Sequence, residues 1–439
     1  MKDGHRRTKV GILGPFSFGN LGNAALQESV VRQVHRYFPG AEIYGCYFDA
    51  ESTFPDPVVK PFPLNRMVSE PGLRAGPALA PEQVDSSSPW KEWVKRIPLA
   101  RQCVHGTRGL FRRAGTVRDE ILFLLKAYKF ACDCRLLVVG MGGVIDDVWN
   151  GAWGDPYSLF KWAMLARLAK TPFIFLSVGA ERVESRLGRL FLRNALRLAS
   201  YRSYRDVESK EKAEKMGVHG PNFVFPDLAF GLPLGDTSRA PLTCGTRRLA
   251  AISPMAYCDP RVWPTKDHVK YKRYLSLLAE LAEWFLSQGY CIVLFATQIR
   301  MDQAPLAELR ELLLKRVPAG SAADVEQANL HDVHDLVSLA RRVDLVVSSR
   351  LHGVIIPCLA GTPVLALSHS SKINRLMEDI GLEAYCTDID TADMRRIQQQ
   401  VLAIEAHQDE MRQHIRRKVS TYQTAVEEQF KSVLGSLGS

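Results

Sequence analysis

The stretch VVSSRLHGVIIPCLAGTPVLAL, residues 346–367, runs from an apolar strand through a polar turn into an apolar helix and a second strand. This order predicts two parallel strands joined by a crossover helix. Arg350 and His352 stand at the turn, although charged side chains are rarely buried without a partner. Because ligands bind beyond the carboxyl ends of such strands, we expect both to face a cleft, with Ser348 or Ser349 capping the helix. The structural alternative is a core histidine and an arginine paired with a neighbouring aspartate.

The same alternation of strands and helices recurs in two series, separated by the Pro- and Gly-containing segment 232–248. Strands that alternate with helices predict parallel sheets, and 439 residues exceed what one core usually holds. We therefore predict an α/β protein with two Rossmann-like parallel-sheet domains facing a cleft, like the GT-B architecture. The predicted domains are 1–235 and 245–390, followed by a helical segment at 391–439 with one long helix over about 391–432.

An insertion at about 51–130 interrupts the first domain. Residues 51–90 are rich in Pro, Ser and Gly and predict irregular structure. Residues 91–118 mix apolar and aromatic side chains with one acid and eight bases, Lys91, Lys95, Arg96, Arg101, Arg108, Arg112, Arg113 and Arg118. This mixture fits either a solvated basic face or a contact with an anionic membrane, and no nucleic-acid-binding motif accompanies it.

Composition narrows the class of protein further. The net charge of +10 favours anionic partners. The nine cysteines include no C-x-x-C pair, which indicates reduced thiols, and no His/Cys/Asp cluster has metal-ligand spacing. We find neither a signal-peptide core nor a membrane span of about 20 apolar residues. We expect a cytoplasmic protein without a cofactor, with the inner face of the membrane as a candidate docking surface.

Two glycine turns follow predicted strands and are candidates for lining the cleft. The first, GPFSFGNLGN at 14–23, contains Gly19, Asn20, Gly22 and Asn23; the second, GMGGVIDD at 140–147, contains Gly142 and Gly143. Such turns allow a ligand to approach the backbone, but they also serve as plain tight turns. Neither matches the dinucleotide-binding or P-loop pattern.

Three further polar residues at strand ends have open roles. Asp146 and Asp147 suit either acid–base chemistry or helix capping, and capping is favoured. Arg205, in SYRSYRD at 200–206, is either a ligand-binding cation or half of a local ion pair with Asp206.

Taken together, these motifs resemble the polysaccharide pyruvyl transferase family. The features in common are FGNLGN, GMGG, SYRD with the later Pro226-Asp227, and SSRLH with the following G-T-P and Lys372. The similarity covers roughly 8–50 and 133–390, and its most specific part is the R-L-H segment. Many members have Asp where this chain has Asn23, so any base role of that acid is absent here.

The resemblance implies a transferase that uses phosphoenolpyruvate to place a pyruvate ketal on a sugar of a surface polysaccharide or its lipid-linked precursor. Arg205 and Arg350 are then the expected donor-binding cations, since arginine binds phosphate and carboxylate with two parallel hydrogen bonds. Ser349, Leu351 and Lys372 complete the expected donor site, and His352 is the expected proton carrier.

Two other functions fit the sequence. One is a GT-B glycosyltransferase that uses a nucleotide sugar. The other is a catalytically inactive carbohydrate-binding scaffold with the same fold, for which Asn23 is the single supporting feature.

Overall fold

The computed structural model describes residues 8–14, 19–47, 58–65, 118–140, 142–235 and 247–438. The predicted basic segment therefore lies outside the described residues, apart from Arg118. Most of the predicted linker at 232–248 lies outside them as well.

Within the described residues, seven parallel strands form the first sheet. In sheet order they are β3 (Lys60–Pro63), β2 (Glu42–Tyr47), β1 (Lys9–Leu13), β4 (Cys134–Val139), β5 (Phe173–Val178), β6 (Tyr201–Tyr204) and β7 (Phe223–Val224). The prediction of irregular structure over 51–90 is wrong for β3. Its sequence KPFP does not read as a strand, but an edge position tolerates proline because one side of the strand needs no donor.

The second sheet is also parallel and has six strands in the described part of the chain. They are ordered β10 (Val325–Gln327), β9 (Cys291–Leu294), β8 (Leu249–Ser253), β11 (Leu345–Ser348), β12 (Val364–Ser368) and β13 (Cys386–Asp388). Every residue of β5, β8, β9, β11 and β12 is buried, as expected for parallel strands covered by helices on both faces. The prediction of a two-domain α/β fold is confirmed.

Helices connect the strands of each sheet. In the first half they are α1 (Leu21–Tyr37), α2 (118–133), α3 (Asp155–Ala169), α4 (Arg186–Leu198) and α5 (Val207–Lys215). In the second half they are α6 (His268–Ser287), α7 (Ile299–Arg316), α8 (Val333–Arg342), α9 (Leu351–Leu359), α10 (Ser371–Ile380), α11 (Met394–Ala406) and α12 (Gln408–Gly438). None of the helices among these residues is both long and apolar enough to cross a bilayer.

The C-terminal segment contains two helices where one was predicted, because α11 ends at Ala406 and α12 begins at Gln408. The second helix returns to the first sheet. The Gln429 amide oxygen accepts a hydrogen bond from Ser177 Oγ at 3.0 Å, and the Leu437 carbonyl accepts one from Arg135 Nη2 at 2.9 Å. Helix α12 thus ties the end of the chain to the first domain.

Candidate functional site

A cavity of about 250 Å³ lies between the two domains. The first domain lines it with residues that follow β5 and β6, among them Glu181 and Arg205. The second domain contributes the turn from β12 into α10, residues 369–372. All these segments leave the carboxyl ends of parallel strands, where α/β folds bind ligands.

Arg205 is the principal cation of the first domain in this cavity. Its side chain is 6% exposed, and a Cβ on Gly179 would lie 2.4 Å from Arg205 Cζ, so only glycine allows the guanidinium this close to the backbone. Three carboxylates surround it, with Asp206 at 3.3 Å, Glu181 at 3.5 Å and Asp227 at 3.9 Å. Asp206 also caps α5, so the predicted local ion pair is present beside a cavity-lining role.

Lys372 is a cation of the second domain that lines the same cavity. Its ammonium donates to Glu181 Oε1 at 2.7 Å across the cleft. Burial raises the pKa of Glu181, but Lys372 and Arg205 outweigh it, so the pKa lies below its ordinary value. Burial lowers the pKa of Lys372, and Arg205 and Arg350 add to this against the attraction of Glu181. Glu181 is therefore held ionised by the two cations, whereas the lowered pKa of Lys372 comes first from its burial.

His369 lines the same cavity. Burial, Lys372 and Arg350 lower the pKa of His369 to about 3, so its ring is neutral. Among the described residues, its Nδ1 and the neighbouring Ser370 Oγ are buried without hydrogen-bond partners. Ser370 precedes α10 without a side-chain cap, and Ser371 and Lys372 in the first turn of that helix line the cavity, so the positive end of the helix lies beside it. The unsatisfied Ser370 hydroxyl is a donor that suits an anionic ligand.

His352, in the first turn of α9, does not line this cavity itself and is connected to it through Asp227, which lies 3.9 Å from Arg205. Its Nε2 is 3.7 Å from Asp227 Oδ1 and has no hydrogen-bond partner among the described residues. Burial raises the pKa of Asp227, but His352 and Arg205 more than offset it and hold that pKa below its usual range. A Cβ on Gly22 would lie 2.1 Å from His352 Nδ1, so the start of α1 accepts the ring only because residue 22 is glycine.

Arg350 differs from its predicted placement. Its guanidinium is 20% exposed and forms a two-bond pair with the fully buried Asp302 of α7, with Nε at 3.0 Å from Oδ2 and Nη2 at 2.5 Å from Oδ1. The structural alternative, an arginine paired with an aspartate, therefore holds for these two donors. Arg350 nevertheless remains close enough to lower the pKa values of His369 and Lys372.

Neither serine before Arg350 caps α9, so that prediction is wrong. Arg350 itself is the N-cap residue, and Ser348 Oγ accepts a hydrogen bond from its backbone N–H at 3.2 Å. Ser349 is fully buried, with its hydroxyl 2.8 Å from the Tyr274 hydroxyl, so it supports the turn from below. The Leu351 side chain packs partly buried against the core.

The first glycine turn joins the domains and is not among the residues lining the cavity. Gly19 accepts at its carbonyl from Ile299 N–H, and Asn20 caps α1 through the backbone of Gly22 and Asn23. In the second turn, a Cβ on Gly142 would lie 3.7 Å from Asn23 Oδ1, and one on Gly143 would lie 2.7 Å from Glu181 Oε1. Where the structure describes them, the two turns therefore meet each other, and Gly143 of the second turn contacts the cavity residue Glu181.

Asp146 and Asp147 have different surroundings. Asp147 accepts hydrogen bonds from the backbone of Glu184 and Ser185 and from the Ser185 hydroxyl, which organises the start of α4. Asp146 accepts from Val148 N–H at 2.9 Å. Burial raises the pKa of Asp146 to about 6, and nearby Glu181 adds to the rise. Asp146 is therefore the carboxyl of this pair that can exchange a proton near neutral pH.

Three residues of this site were not predicted from the sequence. Glu181 and His369 each follow a strand closely, so the strand-end rule that selected Arg205 and Arg350 also indicates them. Asp302 lies inside the first turns of α7 and carries no such signal, because an acid near a helix start usually stabilises the helix dipole.

Two parallel-sheet domains around a cation-lined cleft define a protein of the GT-B structural type. Solved structures of this type match nearly the whole chain. UDP-GlcNAc 2-epimerase from Neisseria meningitidis matches with a TM-score of 0.53 and 12% identity, over 97% of this chain and 100% of its own. The trehalose-6-phosphate synthase OtsA matches with a TM-score of 0.56 and 9% identity, over 98% of both chains, and an α,α-trehalose 6-phosphate synthase from Burkholderia multivorans matches with a TM-score of 0.55 and 11% identity, over 99% of this chain and 97% of its own. At these identities the similarity shows the fold alone.

The family is given by its sequence model. The polysaccharide pyruvyl transferase model matches residues 20–371, which is most of the chain. The chain therefore belongs to the polysaccharide pyruvyl transferase family, and it is a transferase for which that family implies a sugar acceptor. Comparison with curated proteins gives no match.

Proposed function

We propose that this chain transfers pyruvate from phosphoenolpyruvate to two hydroxyls of a sugar, forming a pyruvate ketal on a surface polysaccharide or its lipid-linked precursor. The observation that carries the proposal is the interdomain cavity with a cation from each domain. Arg205 and Lys372 reach it from opposite domains, and together they hold the pKa of the buried Glu181 below its ordinary value. A compact anion with a phosphate and a carboxylate matches these two cations.

The donor would displace the carboxylates that now hold the cations. Arg205 offers a planar set of donors, and Lys372 offers a point charge beside the N-terminus of α10. Ser370 Oγ would gain the acceptor it lacks. Arg350 acts on the donor through its charge, while Ser349 and Leu351 shape the turn that carries it.

The reaction needs proton transfer and no redox step. A proton added to C3 of the donor converts the methylene to a methyl group and leaves C2 like an oxocarbenium ion. One sugar hydroxyl forms a bond to C2 and loses its proton. The second hydroxyl then forms the other C2–O bond as the C2–O bond to phosphate breaks. One hydroxyl proton replaces the proton given to C3, and the other leaves with the phosphate.

His352 is the proton carrier in this scheme. Its ring stands beside Asp227, which in turn lies beside the cavity cation Arg205. Asp227, held ionised by both neighbours, lies 3.7 Å from Nε2 of this ring and stabilises the positive charge that appears there during proton transfer. Asp227 is therefore a positioning residue.

The donor proposal predicts selective stabilisation of the protein. In buffer with EDTA, phosphoenolpyruvate at about 100 times its Kd should stabilise the fold by about 2.7 kcal/mol and raise Tm measurably. Uridine and guanosine diphosphate sugars should produce no shift, because the cavity is a compact cationic site. Differential scanning fluorimetry measures both. A shift with a nucleotide sugar alone would favour the glycosyltransferase, and no shift with either ligand would favour the inactive scaffold.

A second proposal concerns where the enzyme works, at the cytoplasmic face of the membrane. Besides the basic segment at 91–118, helix α2 exposes apolar side chains at a spacing that places them along one side, Ile121, Leu122, Leu125 and Tyr128. Two lysines, Lys126 and Lys129, accompany them. An exposed apolar stripe next to basic residues fits an anionic bilayer.

Vesicle sedimentation tests this surface. At low salt, the protein should pellet with anionic vesicles and remain in solution with neutral ones, since each Lys or Arg near the surface contributes about 1 kcal/mol. Leu122→Glu with Leu125→Glu should reduce pelleting. Leu168→Glu, at the similarly exposed Leu168 of α3, should have no effect. Equal binding to neutral and anionic vesicles would show that this surface is a solvated face and not a contact with anionic membrane.

A further inference from the structure

A row of aromatic rings leads from the cavity to the protein surface. His369, which lines the cavity, has its ring centroid 5.7 Å from that of Trp263, at an interplanar angle of 77°. Trp263 in turn contacts Trp149 at 5.7 Å and 81°. Tyr257 borders the inner part of the row, 6.0 Å from both His369 and Trp263.

The row is built from both domains. Trp149 lies in the loop after β4 of the first sheet, and Trp263 lies in the loop after β8 of the second. The two indoles therefore meet across the mouth of the cleft. Trp149 stays 49% exposed, although indole rings usually bury most of their large apolar area. An exposed aromatic face that adjoins a reaction cavity offers a surface for a ligand with an apolar face.

We infer that Trp149 and Trp263 form the subsite for the acceptor sugar, whose ring stacks its C–H face on one indole and contacts the other, since the two rings stand at 81° to each other. The inference rests on the proposed function and adds to it the place where the acceptor binds. A pyranose is uncharged, and its C–H hydrogens carry a slight positive charge that the negative face of an aromatic ring attracts. The trianionic donor belongs at the cations beyond His369, so the two substrates meet at that residue.

The row of rings also places the two substrates in different parts of the cleft. The neutral His369 ring lies where the cationic cavity adjoins the indoles, so each substrate has a region that suits its charge. Because the indoles come from different domains, a sugar held between them bridges the domains at their outer edge. Its attacking hydroxyls then point inward, toward the donor.

Saturation-transfer NMR on the full chain tests the subsite directly, because it detects weak sugar binding. The probes are methyl glycosides of galactose, glucose, mannose and N-acetylglucosamine. At least one should receive saturation, strongest at the ring C–H hydrogens of one face. Trp149→Ala should raise the Kd of that glycoside about tenfold, and Trp149→Phe should restore part of the binding.

The matched control is Trp153→Ala. Trp153 belongs to the same loop and is 65% exposed, but its contacts are Tyr157 and Phe191 of its own domain. This variant should bind the glycoside like wild type. All variants should keep the thermal shift with phosphoenolpyruvate, which shows that they are folded and that the donor site is intact.

Three outcomes would overturn the subsite: no glycoside receives saturation, Trp149→Ala binds like wild type, or a nucleotide sugar is saturated at its base protons in preference to its sugar protons. Failure of the donor proposal looks different. It removes the shift of the wild-type protein with phosphoenolpyruvate and leaves the glycoside results unaffected.

Discussion

Replacing His352 with alanine is expected to lower turnover by about 10²–10⁴-fold, the usual contribution of a positioned acid or base. The ring lies 3.7 Å from Asp227 at the edge of the cavity, whereas the proposed donor contacts come from Arg205 and Lys372. The thermal shift with phosphoenolpyruvate should therefore persist in the variant. Release of inorganic phosphate in the presence of acceptor measures turnover.

A matched control separates a chemical role from a general effect of losing an imidazole. His219→Ala removes an exposed ring that follows α5, and it should leave both turnover and the thermal shift unchanged. Turnover of His352→Ala within a few-fold of wild type would remove His352 from the mechanism. Loss of the thermal shift together with turnover would make His352 a donor-binding residue.

Replacing Arg205 with lysine should raise the KM for phosphoenolpyruvate by about 10- to 150-fold, since charge-assisted hydrogen bonds contribute about 1.5–3 kcal/mol each. Lysine keeps the charge but loses the planar set of donors. Its ammonium also does not fill the space beside Gly179 that the flat guanidinium of Arg205 now occupies. Steady-state kinetics at saturating acceptor measure the change, and a wild-type KM would exclude Arg205 from the donor site.

Arg350→Lys is the informative companion to this variant. We expect it to weaken donor use less than Arg205→Lys does, since lysine keeps the charge through which Arg350 acts, but to lower Tm in the absence of ligand. The reason is Asp302, which is fully buried and receives two parallel bonds from Arg350 that lysine cannot reproduce. Arg205 has three carboxylates around it and keeps a cation in the lysine variant, so its Tm should change less.

The order of strands and helices could be predicted because it depends on local patterning. Apolar runs such as VDLVVSS report burial on both faces, and the turn residues after them mark the carboxyl ends of strands. The same rule selected Arg205 and Arg350 as cleft candidates. Local patterning did not predict β3, because its two prolines are unusual in a strand. It also did not predict the helix end at His407, which divides the single predicted C-terminal helix into two.

By itself, the sequence determined the two parallel sheets, the family resemblance and the strand ends on which the cations stand. The tertiary structure alone decided which side chains meet. Lys372 pairs with Glu181 across 191 positions of sequence, Arg350 pairs with Asp302 in a neighbouring helix, and Trp149 meets Trp263 across the cleft. Periodicity shows which face of an element is buried, whereas these contacts depend on how elements far apart in the sequence pack, within the second domain for Arg350 and Asp302 and between the domains for the other two pairs.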